Sequence, residues 1–415
     1  MKTIIALVLL FSINSYANNW YDRGNGGFVL LCQGQQPQVL DLYEASTRFN
    51  LPPVPTKSTE TLAKASELIS RLSGIDSHRA KLFKDWLDGF LGTASFVGGS
   101  FAKTPDLGAV LIPDNCQLEQ VIVQQQPSVV NNYRYLINSK LWNQLDPDNQ
   151  AALIVHELIY REFISTPSQE FSSERVRYFN AFIHSDLPGI FSLKDYIAKL
   201  QDVHISRYQY NDLMIFLGAA NSTGEWISSP VNIDEGGRIR YAALSSHQSI
   251  NKPYFNYLCF NLEASPRMGA VFLSKEGKLL NVEVDPQFAS SMACPLPYFQ
   301  YNSIDSSLFI SGTKWRFDEN EQVVQIQGAP LTTQAEFSYK GTVFVSPSSL
   351  ATYSSQDSIF GFDRKMNLIE IGLGGVPCRT PYDSKIRFTP DLIKSNVSVS
   401  LSETGEPVGN IRSCY

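Results

Sequence analysis

The side chains best suited to chemistry lie in one apolar segment, residues 151–162, where His156 is followed by Glu157. A zinc-binding helix of a hydrolase carries two histidines one turn apart, so that both imidazoles reach one metal ion, and a glutamate beside the first activates water. Tyr160 occupies the position of the second histidine. A phenol keeps its proton at neutral pH, since its ordinary pKa is about 10, and is a poor substitute for imidazole. The segment therefore contains part of a metal-binding motif.

Two interpretations of the segment remain open. In the first, His156 binds a metal ion, Glu157 is the general base, and Glu174 of the next predicted helix supplies a further ligand. In the second, His156 is a satisfied core histidine and Glu157 pairs with Arg161 one turn later. We favour the second because a zinc site needs at least three protein ligands and most of the helix circumference is apolar. No cofactor is expected under the second interpretation, and zinc is the cofactor under the first.

Strands that lead into a buried helix with a His-Glu pair resemble the arrangement in zincin-like metallopeptidases. This resemblance implies a zincin-like helix packed on a small sheet, and the missing second histidine puts peptidase activity in doubt. The chain also resembles a group of uncharacterised exported bacterial proteins, in which Asn25-Gly-Gly27, Leu40-Asp-Leu-Tyr-Glu44 and the helix motif His156-Glu-x-x-Tyr-Arg161 occur together. That second resemblance implies no particular function.

The N-terminus predicts export. Lys2 precedes a short apolar run, residues 4–11, and Ser15-Tyr-Ala17 is a small-x-small cleavage site, a combination typical of a signal peptide over residues 1–17. The run is shorter than the ~20 residues that span a bilayer, and no later run approaches that length. We therefore expect a mature protein without a membrane span, located in the periplasm or outside the cell.

The charge of the chain excludes one class of partner. The formal net charge is -6 and the sequence pI is about 5.5, and lysines and arginines form no run. Nucleic-acid binding needs a basic surface that neutralises phosphates. We therefore expect no nucleic-acid partner.

Six cysteines in an exported chain predict three disulfides. Similar spacings favour the pairs Cys259–Cys294 and Cys378–Cys414, and the sequences that follow Cys294 and Cys378 are also alike. Cys32 and Cys116 then remain as the third pair. Metal-binding thiolates are the alternative, but the chain has no Cys-x-x-Cys pair.

Residues 18–205 combine predicted strands with predicted helices. The apolar runs typical of strands are residues 27–32, 109–112, 118–123 and 133–137. Helical spacing of apolar residues predicts helices over residues 58–74, 77–90 and 147–162. Asp146-Pro-Asp148 supplies a cap and a helix-starting proline for the last of these.

Beyond residue 224 the sequence repeats one pattern, a strand, a polar turn and a second strand. The four copies are residues 231–241, 271–281, 315–325 and 360–370, with a weaker fifth at 399–411. Aligning Ile233, Leu273, Phe317 and Phe362 gives steps of 40, 44 and 45 residues. Each copy predicts a β-hairpin, and hairpins must stack to bury an apolar face, so one extended or curved sheet is expected. The pattern resembles MORN-like hairpin repeats without their Tyr-x-Gly signature; an ordinary β-sandwich is the alternative.

These observations predict an α+β domain over residues 18–205, a linker over 206–224 and an all-β hairpin-repeat domain over 225–415. The 19 tyrosines and 25 phenylalanines, with the incomplete catalytic set, favour a binding protein whose β surface contacts a cell-envelope polysaccharide, peptidoglycan or protein. One alternative is a zinc-dependent hydrolase of peptides or cell wall that uses His156, Glu157 and Glu174. Another is a purely structural envelope protein.

Overall fold

The computed structural model describes most of the N-terminal half of the chain and the strands of the C-terminal half. The described residues are 27–101, 110, 112–125, 133–165, 173–211, 213–221, 223–244, 269–284, 298–302, 307–320, 323–330, 336–339, 342–345, 358–362, 368–373, 376–379, 386–389, 398–402, 406–409 and 411–413. The predicted signal peptide lies outside these residues, as do Cys259, Cys294 and Cys414 of the predicted disulfides.

Seven α-helices occur in the described residues, all of them before residue 203. They are α1 (Leu40–Thr47), α2 (Thr61–Ser70), α3 (Ser77–Asp88), α4 (Ser139–Trp142), α5 (Pro147–Ile164), α6 (Ser173–His184) and α7 (Leu193–Asp202). Helix α2 starts later than the predicted residue 58, because Ser58 donates both its backbone N–H and its hydroxyl to Glu67 (3.0 Å each). A short 3-10 turn, Arg71–Gly74, follows α2 and ends at the predicted glycine.

Two small sheets accompany these helices. Their strands are β1 (Phe28–Cys32), β2 (Gln38–Val39), β3 (Ala94–Val97), β4 (Cys116–Gln120), β5 (Ile122–Gln124) and β6 (Tyr135–Asn138). One sheet has the order β2-β1-β4 and is antiparallel, and the other has the order β3-β6-β5 with β3 parallel to β6. Cys32 lies directly opposite Cys116 in the first sheet, and the two form the predicted disulfide.

Helix α5 begins where the sequence predicts. Asp146 accepts hydrogen bonds from the backbone N–H and the side-chain amide of Asn149 (2.9 Å each), and Pro147 is the first helical residue. Such a cap satisfies an N–H group that has no acceptor within the helix, and it contributes about 1 kcal/mol. Residues 151–160 are buried without interruption. A helix buried on all sides must find partners for its polar side chains inside the protein.

The chain forms two compact units. The first contains the described residues within Met1–Leu68, Phe83–Arg161 and Ser172–His184, and the second those within Ile69–Leu82, Glu162–Phe171 and Ser185–Tyr415. The second unit therefore includes three segments of the region that the sequence assigned to the first domain, within residues 69–82, 162–171 and 185–205.

The strands of the second unit form one large sheet and two smaller ones. They are β7 (Arg207–Tyr210), β8 (Leu213–Phe216), β9 (Gly218–Ala220), β10 (Trp226–Ser228), β11 (Val231–Ile233), β12 (Ile239–Leu244), β13 (Gly269–Leu273), β14 (Leu279–Val284), β15 (Tyr298–Asn302), β16 (Ser307–Phe317), β17 (Val323–Pro330), β18 (Glu336–Tyr339), β19 (Thr342–Val345), β20 (Ser358–Phe362), β21 (Leu368–Leu373), β22 (Val376–Arg379), β23 (Ile386–Thr389), β24 (Val399–Ser400) and β25 (Arg412–Ser413).

The large sheet is antiparallel and has twelve strands. Its main order is β24-β21-β20-β17-β16-β14-β13-β12-β8-β7, with β11 paired to β12 and β15 paired to β16. The smaller sheets are β10-β9 and β18-β19-β23-β22-β25. Residues 206–224, predicted as a linker, contain β7, β8 and β9, and β7 and β8 belong to the large sheet. β7 pairs with β8, and β8 pairs with β12, a contact between separate segments that local sequence does not reveal.

The four predicted hairpins are all present in the large sheet, as β11–β12, β13–β14, β16–β17 and β20–β21. In each one the aligned apolar residue pairs with the residue six positions later: Ile233 with Ile239, Leu273 with Leu279, Phe317 with Val323 and Phe362 with Leu368. The fifth copy shows the same spacing, because Leu401 bridges to Pro407 while β24 pairs with β21. The four hairpins are therefore equivalent units in one sheet, as predicted, and the fifth copy contributes the strand β24 to the same sheet.

Every one of the four hairpins contains a β-bulge at the same place. The register shifts just before the aligned residue, which leaves one unopposed residue in the second strand: Arg240, Leu280, Val324 or Ile369. A bulge bends its strand and increases the local twist. The polar residue after the aligned position then closes the turn. Asp234 and Ser274 accept hydrogen bonds from the N–H groups of Arg238 (3.0 Å) and Lys278 (3.2 Å).

The chain thus combines helices and small sheets in its N-terminal half with a large antiparallel sheet in its C-terminal half. None of the helices in the described part of the chain is long and apolar enough to cross a membrane.

The bulge makes two neighbouring leucines differ in energetic importance. Leu279 is 2 % exposed in the core, and Leu280 is the partly exposed bulge residue. We expect Leu279→Ala to lower the free energy of unfolding by about 2–5 kcal/mol, because it leaves a cavity, and Leu280→Ala to lower it by about 1 kcal/mol or less. Urea unfolding followed by circular dichroism measures both. Equal losses, or a larger loss at Leu280, would contradict this register.

Candidate functional site

The candidate site is the polar centre of the first unit, where α5 meets α1 and α6. His156 lies on α5, is 1 % exposed, and its ring Nδ1 is 2.7 Å from Oδ2 of Asp41 on α1. The side-chain amide of Asn180 on α6 donates to the same Asp41 oxygen (2.6 Å) and to the carbonyl oxygen of Ala152 (3.0 Å). One aspartate oxygen therefore joins three helices.

Below this junction, α1 and α6 are connected by two further polar contacts. The Nε of Arg177 donates to Oε2 of Glu44 (2.6 Å), and both side chains are almost fully buried. Arg177 also donates to the hydroxyl of Ser173 (2.7 Å). Arg48, one turn beyond Glu44, pairs with Glu44 (3.3 Å) and with Glu174. The two helices are thus joined by a ladder of charges that begins at Asp41 and ends near the surface.

Glu157 and His156 have different hydrogen-bond partners. Its Oε1 accepts the backbone N–H of Gly27 (2.7 Å), and the residue is fully buried. The carbonyl of Gly27 in turn accepts the N–H of Val121 (3.0 Å). A methyl group at residue 27 would overlap the side chain of Leu153 on α5, so only glycine allows the backbone to come this close. Burial and the charge of Glu157 raise the pKa of Tyr135 to about 12.

The electrostatics of the Asp41–His156 pair favour its charged form. Burial by itself raises the pKa of an aspartate and lowers that of a histidine. Here the opposite charge and the hydrogen bond between them outweigh burial, so the pKa of Asp41 is lowered and the pKa of His156 is raised. Asn180 lowers the pKa of Asp41 further, and the charge of Glu157 raises that of His156.

The orientation of His156 is chemically informative. Asp41 holds Nδ1, as a carboxylate does when it orients a metal-binding or general-base histidine, and Nε2 has no hydrogen-bond partner in the described part of the chain. Both atoms are buried, however, and Tyr160 stacks on the ring with centroids 6.4 Å apart. The arrangement can hold a proton inside the protein.

The described residues do not fit a zinc site. His156 contacts Asp41, which lies at one end of the series of polar contacts between α1 and α6, and Glu174 lies at the other end. Asn180, which binds Asp41, and Glu174 are six residues apart on α6, about 9 Å along the helix axis. Two ligands of one zinc ion both lie about 2 Å from the metal. Over the ranges that the structure describes, no three His, Cys, Asp or Glu side chains are grouped so as to hold a metal ion. The roles of His156, Glu157 and Glu174 in metal chemistry remain predictions.

Sequence reasoning identified His156 and Glu157 of α5 and missed two of their hydrogen-bond partners. It offered a core environment and Tyr160 for His156, and Arg161 for Glu157, but it did not identify the hydrogen bonds to Asp41 and Gly27. Arg161 lies over the ring of Trp86, 4.2 Å from its centre. A signal for Asp41 and Gly27 was present. Gly27, Asp41 and His156 each belong to one of the three motifs noted together in the sequence, and they meet at this centre.

A second buried cluster lies in the other unit and is well satisfied. The guanidinium of Arg79 contacts Asp76, Glu162 (3.0 Å), the hydroxyl of Tyr196 (3.0 Å) and the carbonyl of Arg207 (2.9 Å). Burial alone would lower the pKa of Arg79, but the two carboxylates raise it. This cluster joins helices to the first strand of the large sheet and is structural.

Comparison of the chain with family models, with curated proteins and with solved structures finds no match.

The charged pair makes stability depend on pH in a specific direction. The contribution of His156, whose pKa is raised, is fully present below its unfolded value of about 6.5 and is lost as pH rises through its folded pKa. The contribution of Asp41, whose pKa is lowered, is present above about 3.9 and is lost as pH falls through its folded pKa. The pair therefore contributes most to the free energy of unfolding between about pH 4 and 6.5. Above this pH range we expect the free energy of unfolding to fall by up to about 1.4 kcal/mol per pH unit.

The matched variant is Asp41→Asn, which keeps the shape and an acceptor oxygen but removes the charge. We expect the difference in unfolding free energy between the native protein and this variant to shrink from pH 6 to pH 8, because other titrating groups cancel in the difference. Urea unfolding at several pH values measures it. A difference that is constant or grows over this range would show that the pair is not charged in the folded protein.

Proposed function

We propose that this protein is an exported binding protein of the cell envelope or its surroundings, and that its large sheet provides the binding surface. On this proposal the first unit is zincin-like in its helix and sheet arrangement and has no catalytic role. The partner is a cell-envelope polysaccharide, peptidoglycan or protein.

The observation that carries the proposal is the equivalence of the four hairpins, which the strand β24 of the fifth copy continues. Repeated units present the same positions at regular intervals and create extended surfaces, which many repeat proteins use for binding. The turns of the hairpins are closed by their own side chains, Asp234, Ser274 and Ser402 among them, so the sheet does not depend on a ligand for its geometry. A preformed surface loses little conformational entropy on binding.

The state of the His-Glu pair supports binding over hydrolysis. A general base must reach the water molecule or substrate from which it takes a proton. Glu157 is fully buried and already accepts the Gly27 N–H, and His156 is 1 % exposed and paired with Asp41. The disulfide Cys32–Cys116 supports export, because disulfides persist in oxidising compartments.

The direct test is co-sedimentation of the mature protein with purified peptidoglycan and with insoluble envelope polysaccharide, each assayed separately. The matched control is Glu157→Gln, which keeps the shape and the oxygen that accepts the Gly27 N–H but cannot act as a base. We expect the native protein and the variant to bind equally and to leave the material uncleaved. Cleavage that the variant abolishes would overturn the proposal. Binding to neither material would exclude peptidoglycan and polysaccharide as the partner.

Metal analysis tests the same proposal independently. We expect the purified protein to contain far less than one zinc per chain after dialysis, because a site with one histidine lacks the required ligands. The comparison is His156→Gln, which removes the imidazole. Zinc close to one per chain in the native protein, lost in this variant, would establish the competing metallohydrolase.

A further inference from the structure

One line of side chains crosses the large sheet without a break. Directly paired residues on neighbouring strands point to the same face of a sheet. Starting one residue before each aligned position, the register connects nine residues in order: Asn232, Tyr241, Phe272, Asn281, Arg316, Gln325, Gly361, Glu370 and Ser400. We call this line the polar row. With strands about 4.8 Å apart it spans about 38 Å.

The next line of paired residues is entirely apolar and belongs to the opposite face. It consists of Val231, Ala242, Val271, Val282, Trp315, Ile326, Phe360, Ile371 and Val399. Ala242, Val271, Phe360 and Ile371 are fully buried, so this face forms the core. In the polar row Asn232, Arg316 and Ser400 are exposed, and Tyr241, Phe272, Asn281, Gln325 and Glu370 are partly exposed. Where burial is described, the apolar line is therefore buried except at Val231, which is partly exposed, and the polar row is exposed or partly exposed except at Gly361.

The polar row contains an aromatic section and a hydrogen-bonding section. Tyr241 and Phe272 are neighbours whose ring centres lie 5.1 Å apart, with the planes at 62°. Next to them are Asn281, Arg316 and Gln325, and the guanidinium of Arg316 donates to the amide oxygen of Gln325 (3.3 Å). Aromatic faces pack against flat apolar surfaces, and amides offer both donors and acceptors.

Gly361 makes room in the row for the side chain of Glu370. A methyl group there would lie 2.8 Å from Cβ of Glu370 and 2.9 Å from its Oε2, so the glycine leaves room for the glutamate side chain to lie across the strand. The hydroxyl of Ser398 donates to the other carboxylate oxygen. The carboxylate is therefore held at a fixed place beside the row.

The charges of the polar row decide which ligand it suits. Arg316 and Glu370 are its two charged residues, and they balance. A polyanion such as nucleic acid requires several cations, and an apolar helix requires an aliphatic surface; the row supplies neither. Amides, one guanidinium, one carboxylate and two aromatic rings in a line suit a long ligand that carries many hydroxyl groups and little net charge.

We propose that the polar row binds a linear, uncharged polysaccharide that lies across the strands of the large sheet. This inference rests on the proposed binding function and assigns its surface and its ligand class. Sugar rings stack on Tyr241 and Phe272 by their C–H faces, and their hydroxyls exchange hydrogen bonds with Asn281, Arg316 and Gln325. Because the row crosses many strands, longer chains bind more tightly than short ones.

The test is isothermal titration calorimetry of the full mature protein with β-linked hexamers of glucose and of N-acetylglucosamine. The comparison shows which of the two kinds of polysaccharide the protein binds. We expect one of the hexamers to bind and the matching dimer to bind more weakly. Phe272→Ala and Arg316→Ala should each weaken binding by about tenfold, the effect of removing a central contact. Phe272→Tyr, which keeps the ring, should restore it.

The matched controls are Phe96→Ala, an aromatic residue 48 % exposed in the other unit, and Arg238→Ala, an exposed arginine in a turn of the same sheet. Both should bind as the native protein does. If no hexamer binds while an envelope fraction still co-sediments, this inference fails and the proposed function stands. If row variants and controls bind alike, the row is not the site. If nothing binds at all, both proposals fail.

Discussion

The burial of charge on α5 is the constraint on which the rest of the helical unit depends. An ionised side chain in a low-dielectric interior costs several kcal/mol unless it is paired and hydrogen-bonded. His156 and Glu157 find their partners 115 and 130 residues earlier in the chain, in Asp41 and Gly27. Each partner fixes the position of a whole element: Asp41 that of α1, and Gly27 that of the strand that follows it. The burial of apolar side chains drives the folding of this unit, and these two contacts select the arrangement in which the buried polar groups have hydrogen-bond partners.

The polar residues of the candidate site were visible in the sequence, and their pairing was not. Helical periodicity and the Asp146–Pro147 start are local, so α5 could be placed almost to the residue. The hydrogen bonds of its side chains to Asp41 and Gly27 are long-range, whereas local spacing indicates only residues one turn away, such as Arg161 and Tyr160. Asp41 and Asn180 lacked any such marker on their own. Their burial becomes understandable when α1, α5 and α6 are together, because each supplies a group that the others need.

The parts of the sheet that could be predicted are those that depend on residues close together in the sequence. Alternating apolar residues around polar turns indicated the hairpins, and aligning Ile233, Leu273, Phe317 and Phe362 already selected the residues that precede each turn. The bulge was not predicted, since an extra residue in one strand shows only when both strands are paired. The parallel pairs β19–β23 and β22–β25, and the entry of β7 and β8 into the sheet, join segments with no common local signal.

The order of the hairpins along the sheet has a consequence for how the protein can change over evolutionary time. In the described residues each hairpin pairs with the copies before and after it in the chain through the same lines of residues, and β12 and β16 also pair with β8 and β15. Duplication or loss of one copy therefore lengthens or shortens the sheet by one unit and leaves the remaining pairs intact. The buried charges of α5 offer no such freedom, because the hydrogen bonds of His156 and Glu157 require Asp41 and Gly27 at their places in the chain.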